Sequence, residues 1–275
     1  MITLSAEQFP VRKVTSTGAV DTGDMLAVEE PLEIRLLYGP ENSRIEKTIS
    51  ITMRTPGHDD ELALGFLFAE GIISDGSEIA NIRVADGTGN VVIVHFNPSI
   101  SPALASLDRH FYTTSSCGVC GKTSLDAVKT KSVFPSGLGS LRVSSTLLYS
   151  LQEKLRGHQK VFDVTGGLHA SALFDAVGQL AIVREDVGRH NALDKVIGAS
   201  LLKDKLPLSD SILLLSGRIS FELVQKAFMA GINFVAAIGA PSTLAVTMAE
   251  ECGMTLVGFL RDNRYTIYSG KERIG

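Results

Sequence analysis

The sequence predicts an α/β protein whose C-terminal part is built on a parallel sheet. The main observation is a faint repeat in the last third, in which Gly217 matches Gly239 and Ser220 matches Ser242 at an offset of 22 residues. Each copy holds an apolar run, a serine-containing turn and an amphipathic helix that ends at a glycine, as a strand–turn–helix unit does. In addition, 44% of the 275 residues are hydrophobic and 20% are charged, which is typical of a globular chain with a sizeable core.

The first hundred residues predict a β-rich unit with one helix. Alternating apolar and polar residues predict strands in LEIRLLY (32–38) and EKTISITMR (46–54), and NVVIVHF (90–96) predicts another. The segment TPGHDDELALGFLFAEGI (55–72) predicts a helix, because acidic residues follow a Pro-Gly turn and the apolar face ends at Gly71. The breaker-rich stretch 97–106 predicts a boundary between a smaller N-terminal α+β domain, residues 1–108, and an α/β domain, residues 109–275.

The middle of the chain predicts two helices and a hairpin before the repeat begins. A weak capping box at TSLD (123–126) predicts a short helix after the second cysteine. The segment VSSTLLYSLQEKLRG (143–157) reads as an amphipathic helix that ends at Gly157, and two apolar runs around a turn predict a hairpin over residues 172–183. TLVGFL (255–260) is the strand that completes the second copy of the repeat.

The ends of the predicted parallel strands are candidate ligand contacts. Ligands of such sheets lie outside the carboxyl ends of the strands and beside the helix N-termini. Residues 216–218, 239–242 and 259–261 stand at those ends, which favours a pocket for an anion or a nucleotide. Several arginines of this last third are candidates for such a pocket, and for each the alternative is a solvated surface charge: Arg184, Arg189, Arg218, Arg261 and Arg264.

Composition and charge exclude several classes of protein. The net charge of −4 at pH 7 argues against a general nucleic-acid binder, which normally carries a broad basic excess. The longest apolar run, LALGFLFA (62–69), is far shorter than the roughly 18 residues that span a bilayer, so no membrane partner is expected. The stretch MITLSAEQFPVRK lacks the apolar region of a signal peptide, and with only three cysteines the chain is predicted to be cytoplasmic.

The stretch SSCGVCGK (115–122) holds two cysteines, Cys117 and Cys120, separated by two residues. Such a pair can be half of a zinc site, a redox dithiol, a sulfur carrier or two inert core residues. Zinc would need two more ligands, and the six histidines show no paired spacing, so no structural metal is expected. A redox dithiol would follow a strand directly, whereas DRHFYTTSS (108–116) is polar and typical of an exposed loop, which suits a sulfur carrier.

Six motifs that follow one another along the chain carry a resemblance to a known family. They are RTPGHDDELALGFLFAEGI, SSCGVCGK, FDVTGGLHASALFD, REDVGRHNALDKVIG, LLLSGRISFELVQKA and TLVGFLRDNRYTIY. In this order they resemble the formate dehydrogenase accessory sulfurtransferases, the FdhD family. The motifs run from residue 54 to residue 268, so the resemblance covers nearly the whole chain. CGVCGK alone would be weak evidence, but the ordered set is specific.

The resemblance implies a homodimeric, cytoplasmic sulfurtransferase whose main domain has a cytidine-deaminase-like three-layer fold. It implies that sulfur comes from an IscS-type cysteine desulfurase and passes to the molybdenum cofactor, in its bis-molybdopterin guanine dinucleotide form, which formate dehydrogenase needs. By motif position, Cys117 would carry the persulfide and Cys120 would assist. The family's cofactor-binding segment falls on Phe259, Leu260, Arg261, Asp262, Asn263 and Arg264.

The residue types agree with a phosphate-rich ligand. A guanine dinucleotide cofactor carries several phosphates, and arginines can pair with them in a forked geometry, so guanosine diphosphate (GDP) is expected to bind as a fragment. Gly217, Arg218 and His190 complete the set of predicted cofactor contacts. For His190, in REDVGRHN, the alternative is an ordinary hydrogen bond to neighbouring backbone. For Arg261 and Arg264, it is a plain hairpin turn with solvated side chains.

Two rival functions remain. Zinc deaminases use H-x-E to hold metal and move protons, followed by P-C-x-x-C. Here His169 is followed by Ala170 and then Ser171 where the glutamate would stand, and the cysteine pair precedes this motif, so deaminase activity is expected to be absent. The other rival is a non-enzymatic chaperone that binds the molybdenum cofactor and delivers it to formate dehydrogenase.

Overall fold

The computed structural model describes residues 5–85, 87, 89–104, 132–135 and 141–275. Cys117, Cys120, the helix predicted after Cys120 and the predicted boundary between residues 108 and 109 lie outside these ranges. The first described strands, β1 (Ala6–Thr15) and β2 (Gly18–Ala27), pair as an antiparallel hairpin whose residues are mostly exposed. No pattern in the sequence predicts this hairpin, because a ribbon exposed on both faces needs no regular alternation of apolar and polar residues.

A four-stranded sheet follows, in the order β4-β3-β6-β5. Its strands are β3 (Glu30–Tyr38), β4 (Ile45–Arg54), β5 (Ile79–Val84) and β6 (Val91–Phe96). Helix α1 (Asp59–Ala69) lies on its inner face, and its C-terminal end is closed by Gly71 in the left-handed conformation. The strands predicted at 32–38, 46–54 and 90–96 and the helix between them are therefore confirmed.

The second sheet has six strands, in the order β12-β11-β10-β9-β7-β8. The strands β9 (Ile212–Leu215), β10 (Phe234–Ala237) and β11 (Thr255–Arg261) run parallel, as the repeat predicts. On one side they are flanked by the hairpin of β7 (His169–Phe174) and β8 (Leu180–Asp186), and on the other by β12 (Arg264–Ser269), which pairs antiparallel with β11. Every residue of β9 and β10 is buried, which explains why these strands read as continuous apolar runs.

Helices cover both faces of the six-stranded sheet. Helix α2 (Ser145–Arg156), followed by the short α3 (Lys160–Thr165), packs Leu148, Leu151 and Leu155 against one face. The helices α4 (Arg189–Leu201), α5 (Phe221–Met229) and α6 (Thr243–Glu251) cover the other. Successive strand residues point to opposite faces, so that Leu213 joins the α4–α6 side and Leu214 the α2 side. The result is a helix–sheet–helix arrangement, with α1 and the four-stranded sheet beyond α4.

Two glycines set how closely α1 and α4 approach. A Cβ on Gly65 of α1 would overlap the carbonyl oxygen of Asp194, and a Cβ on Gly198 of α4 would overlap that of Glu61. Each glycine thus faces the backbone of the opposite helix, and the two helices touch main chain to main chain. This contact connects the four-stranded and six-stranded sheets through one hydrophobic core.

A partly buried ion pair also joins these layers. Arg184 on β8 donates through Nη2 to Oε1 of Glu61 on α1 at 2.6 Å, and Nδ1 of His58 lies 3.3 Å from Oε2 of the same carboxylate. Burial alone would raise the pKa of the Glu61 carboxyl, but the hydrogen bonds from Arg184 and His58 outweigh it and lower the pKa from 4.5 to about 2.

This ion pair predicts how stability depends on acid. Because the folded-state pKa of Glu61 is depressed, its contribution is present above pH 4.5 and is lost as the pH falls towards 2. Glu61→Gln is therefore expected to lower the melting temperature near neutral pH by roughly 2–4 °C, the shift that about 1 kcal/mol gives a chain of this size. The deficit should shrink between pH 5 and pH 3 in thermal melts followed by circular dichroism. The exposed carboxylate variant Glu41→Gln is the control, and a deficit that stays constant down to pH 3 would contradict the assignment.

Across the ranges that the structure describes, every helix is too short or too polar to cross a membrane.

Candidate functional site

A cavity of about 1000 Å³ opens at the edge of the six-stranded sheet where the parallel strands end. Helix α2 forms one wall, the loop that leads into β7 forms another, and the ends of β9 and β10 and the β11–β12 turn form the floor and rim. Its lining includes Tyr149, Arg156, His169, Ser216, Asp262 and Asn263. The volume lies at the upper end of the range that small-molecule sites occupy.

Parallel strands bring the predicted strand ends together. The backbone N–H of Gly239, after β10, donates to the carbonyl of Gly217, after β9, at 3.1 Å, and the N–H of Phe259 donates to the carbonyl of Gly239 at 3.1 Å. A Cβ on Gly239 would meet the Gly217 carbonyl oxygen at 2.7 Å, so only glycine permits this approach. The predicted convergence of 216–218, 239–242 and 259–261 at one edge is confirmed.

The turn between β11 and β12 has two central residues, Asp262 and Asn263, with φ angles of 52° and 56°. Both angles are left-handed, as in the tight hairpin turns that favour Asp, Asn and Gly. This geometry brings Asp262 and Asn263 to the cavity rim, whereas Arg261 and Arg264 pair across the start of the hairpin and are exposed.

The other two residues of the predicted cofactor segment differ in exposure. Leu260 is 1% exposed and packs into the core on the α2 side, so only its backbone can reach a ligand. Phe259 is 38% exposed and has a φ of 53°, at an irregularity in the pairing of β11 with β12. The sequence does not separate these two orientations, because the bulge breaks the strand alternation.

His169 is the partly buried ring at the inner end of the cavity. It begins β7, and a Cβ on Gly217 would stand 3.1 Å from its Nδ1, so Gly217 lies against the imidazole. Burial is the main cause that lowers the pKa of His169 from its ordinary 6.5, and the charge of Arg189 lowers it further. The nearby Asp186 carboxylate opposes this in part. The ring is therefore neutral near pH 7 and can accept or donate one hydrogen bond.

His190 lies in the first turn of α4 and contacts the start of α5. Its Nε2 is 3.2 Å from the Ser220 hydroxyl and 3.7 Å from Oε2 of Glu222. The nearby His190 ring, with hydrogen bonds from Ser220 and the backbone, outweighs burial and lowers the pKa of the Glu222 carboxyl from 4.5 to about 2, so this group is an anion near neutral pH. The partners of the His190 ring are thus side chains of α5, not the neighbouring backbone considered as the alternative.

A buried polar network fixes the start of α4. Nζ of Lys195 lies 2.7 Å from Oδ2 of the fully buried Asp186 and donates to the Thr55 carbonyl at 2.9 Å. Asn191 donates through Nδ2 to Oδ1 of Asp186 at 3.1 Å and to the Met53 carbonyl at 2.8 Å. These bonds connect the end of β4 to the start of α4. They hold the backbone of that turn in place and so position the side chains that project from it.

Arg189, the first residue of α4, is among the candidate arginines but is not in the predicted set of cofactor contacts. Its Nε is buried and has no hydrogen-bond partner among the described residues. The signal available in the sequence is its position next to His190 in REDVGRHN, which is easily taken for an ordinary helix start. Within the same ranges, no three His, Cys, Asp or Glu side chains converge to hold a metal ion, and Cys117 and Cys120 lie outside them.

Comparisons with known proteins point to one family. The model of the FdhD/NarQ family matches residues 27–275. The chain is 52% identical over 266 residues to the sulfur carrier protein FdhD of Streptomyces coelicolor, covering 94% of this chain and 92% of that protein. It is 46% identical over 274 residues to the protein of the same name from Mycobacterium tuberculosis, covering 96% of each. With the protein of that name from Saccharolobus solfataricus it shares 42% identity over 268 residues, 98% of each.

A solved structure has the same fold. The crystal structure of a protein from Desulfotalea psychrophila, described as a formate dehydrogenase accessory protein, superposes with a TM-score of 0.76. The superposition covers 98% of this chain and 99% of that one, at 24% sequence identity. At this identity the likeness supports the arrangement of strands and helices around the cavity.

Proposed function

Because the chain belongs to the FdhD/NarQ family, we propose that it is a sulfur carrier that serves the maturation of formate dehydrogenase. The observation that carries the proposal is 52% identity, over 94% of the chain, to a protein named as a sulfur carrier. The order of the six motifs along the chain supports the same function. The proposal includes a cytoplasmic location, where a reduced cysteine pair is stable.

The proposed chemistry is a thiol exchange at Cys117. Its thiolate attacks the outer sulfur of a persulfide on a cysteine desulfurase, the sulfur–sulfur bond of the donor breaks, and the donor cysteine leaves as a thiolate. Cys117 then carries the persulfide, and no external oxidant or reductant is needed because one sulfur–sulfur bond replaces another. Cys120 lies near enough in sequence to protect or resolve this persulfide.

The proposed acceptor is the molybdenum cofactor in its bis-molybdopterin guanine dinucleotide form, bound as substrate at the cavity. Its predicted contacts are Gly217, Arg218 and His190, together with residues 259–264. Of these residues, Asp262 and Asn263 line the cavity, whose volume of about 1000 Å³ suits a large ligand. Arg218 is exposed two residues after the cavity-lining Ser216, where its charge suits the phosphates. Neutral His169 and the amides and carboxylates of the rim suit a heterocycle with several hydrogen-bonding edges.

The proposal extends to the fold and the assembly. Helices on both faces of the mixed six-stranded sheet support a cytidine-deaminase-like three-layer arrangement for the domain at 109–275, with the smaller domain at 1–108. In this arrangement Ser171, which is 1% exposed, stands where a deaminase would need its glutamate, so deamination is not expected. A homodimer and binding to a cysteine desulfurase and to formate dehydrogenase complete the proposal.

Mass spectrometry tests the sulfur-carrier function. The protein is incubated with a cysteine desulfurase and cysteine, and the peptide with Cys117 and Cys120 is expected to gain one sulfur atom, which dithiothreitol removes. A chaperone that only binds the cofactor would show no such gain. A protein that never acquires the sulfur, while the desulfurase turns over, is not a sulfur carrier.

GDP binding tests the proposed acceptor site. GDP is expected to bind in isothermal titration calorimetry, and Arg261→Ala to weaken it roughly two- to fivefold, which is the range for one exposed charge pair. Arg83→Ala removes the same charge from β5, in the other sheet, and is the control. Equal affinities of wild type and Arg261→Ala would remove Arg261 from the site.

A further inference from the structure

We propose that Arg189 and Arg218 form a subsite for the diphosphate group of a nucleotide, at the end of the sheet where His169 begins β7. The inference rests on the proposed function, because the acceptor named there carries diphosphate groups. The sequence-based prediction already includes Arg218 and names Arg189 only among the candidate arginines, so the new elements are Arg189 as a contact and the pairing of these two arginines around His169.

The state of the Arg189 guanidinium is the first reason. An arginine side chain is always charged, and its five N–H donors need acceptors or water. Nε of Arg189 is shielded from solvent and meets no acceptor in the described part of the chain. A buried donor without a partner is unfavourable, so a ligand oxygen that reaches it replaces an unsatisfied group with a charge-assisted hydrogen bond.

The position of Arg218 is the second reason for the proposal. Arg218 lies on the opposite side of His169 from Arg189. The strand order β9-β7-β8 puts β7 between the two strands that lead to these arginines. Arg189 follows the end of β8, where Asp186 pairs with His169, and Arg218 follows the end of β9. Arg218 is exposed and forms no hydrogen bond or ion pair with any described residue.

The carboxylates around this point already have partners. Asp186 accepts from the backbone N–H of Thr55 and Gly188 and from Asn191, and it pairs with Lys195. Glu222 is held by His190, whose ring lies in the same first turn of α4. Both carboxylates are thus occupied by other groups. After burial, Arg189 is the largest electrostatic cause of the lowered pKa of His169, and Asp186 opposes the cations only in part.

The start of α4 adds backbone donors to the same place. This helix has 13 residues and its cap is Gly188, which makes no side-chain hydrogen bond to the N–H groups of the first turn. Such N–H groups favour phosphate. Two guanidinium groups near one ring, with the N–H groups of the first turn of α4 beside Arg189, match two linked phosphates better than one carboxylate.

Inorganic pyrophosphate is the probe that separates this subsite from the rest of the cofactor. In calorimetric titrations, pyrophosphate is expected to bind the wild-type protein, and Arg189→Ala to weaken it at least roughly tenfold. Arg218→Ala, an exposed change that leaves the core intact, is expected to weaken it roughly three- to tenfold. Arg189→Lys should recover only part of the loss, because lysine lacks the fork. The control Arg83→Ala is expected to stay within about twofold.

The outcomes also separate this inference from the proposed function. Pyrophosphate that binds wild type, Arg189→Ala and Arg218→Ala equally would overturn the subsite, as would a wild type that binds GDP but not pyrophosphate. Circular dichroism melts show whether Arg189→Ala is folded, and if it is not, Arg218→Ala and Arg189→Lys decide the matter. Sulfur loading of Cys117 is measured without any nucleotide, so its failure would overturn the sulfur carrier and leave the subsite standing.

Discussion

Gly198→Ala is expected to lower the free energy of unfolding by about 3 kcal/mol, at the upper end of the cost of overpacking a core. Alanine is a better helix former than glycine by about 1 kcal/mol, so intrinsic propensity acts in the opposite direction. The steric cost exceeds this gain in helix propensity, because the new methyl group would overlap the carbonyl oxygen of Glu61 on α1. The obstacle is backbone, which cannot rotate away as a side chain can, and the two helices must separate.

A matched glycine provides the control. Gly157 ends α2 with a φ of −63°, and a Cβ there would meet its nearest neighbours at 3.8 Å. Gly157→Ala is therefore expected to leave stability unchanged or to raise it slightly. Urea denaturation followed by circular dichroism gives both values. Gly198→Ala and Gly157→Ala with the same midpoint would show that α1 and α4 are not in main-chain contact.

The same substitution should disturb the functional site. Arg189 and His190 project from the first turn of α4, and Asn191 and Lys195 tie that turn to the end of β4. A displaced α4 changes the geometry of this network as well as the helix packing. Gly198→Ala is thus expected to weaken pyrophosphate binding although residue 198 lies more than two turns from the helix start.

Local sequence patterns predict many of the strands and helices of the fold. The repeat in which Gly217 matches Gly239 predicts β9, β10 and the two helices that follow, because strand and helix periodicities are local properties. The contact of Gly65 with α4 is not local, since the two helices are more than a hundred residues apart, and a helical glycine by itself only lowers the confidence of a helix prediction.

The residues of the candidate site also divide into those that local sequence predicts and those that only the folded chain brings into place. That 216–218 and 239–242 meet at one edge follows from parallel strands, and Gly217 and Arg218 are found from the sequence for this reason. Arg189 follows an antiparallel strand of the β7–β8 hairpin, so the parallel-sheet rule does not reach it. The burial of its Nε without a hydrogen-bond partner among the described residues is a property of the folded chain, and no spacing of residues in the sequence predicts it.

The third cysteine, Cys252, has a packing role, unlike the proposed chemical role of Cys117 and Cys120. Cys252 caps the C-terminal end of α6, is partly buried and packs against the core. A thiol in that position is a small apolar residue more than a nucleophile. It therefore offers a control for the other two, since its replacement removes a thiol without touching SSCGVCGK.

Cys117→Ser is expected to abolish sulfur loading completely, because a hydroxyl does not attack a persulfide and the exchange has no other first step. Cys120→Ser is expected to gain the sulfur atom at Cys117 but to lose it faster, since the second thiol is proposed to protect the persulfide. Cys252→Ala should load like wild type. Each variant is incubated with a cysteine desulfurase and cysteine, and mass spectrometry of its peptides locates the added sulfur. Sulfur on Cys120 of the Cys117→Ser variant, at the wild-type rate, would reverse the roles of the two cysteines.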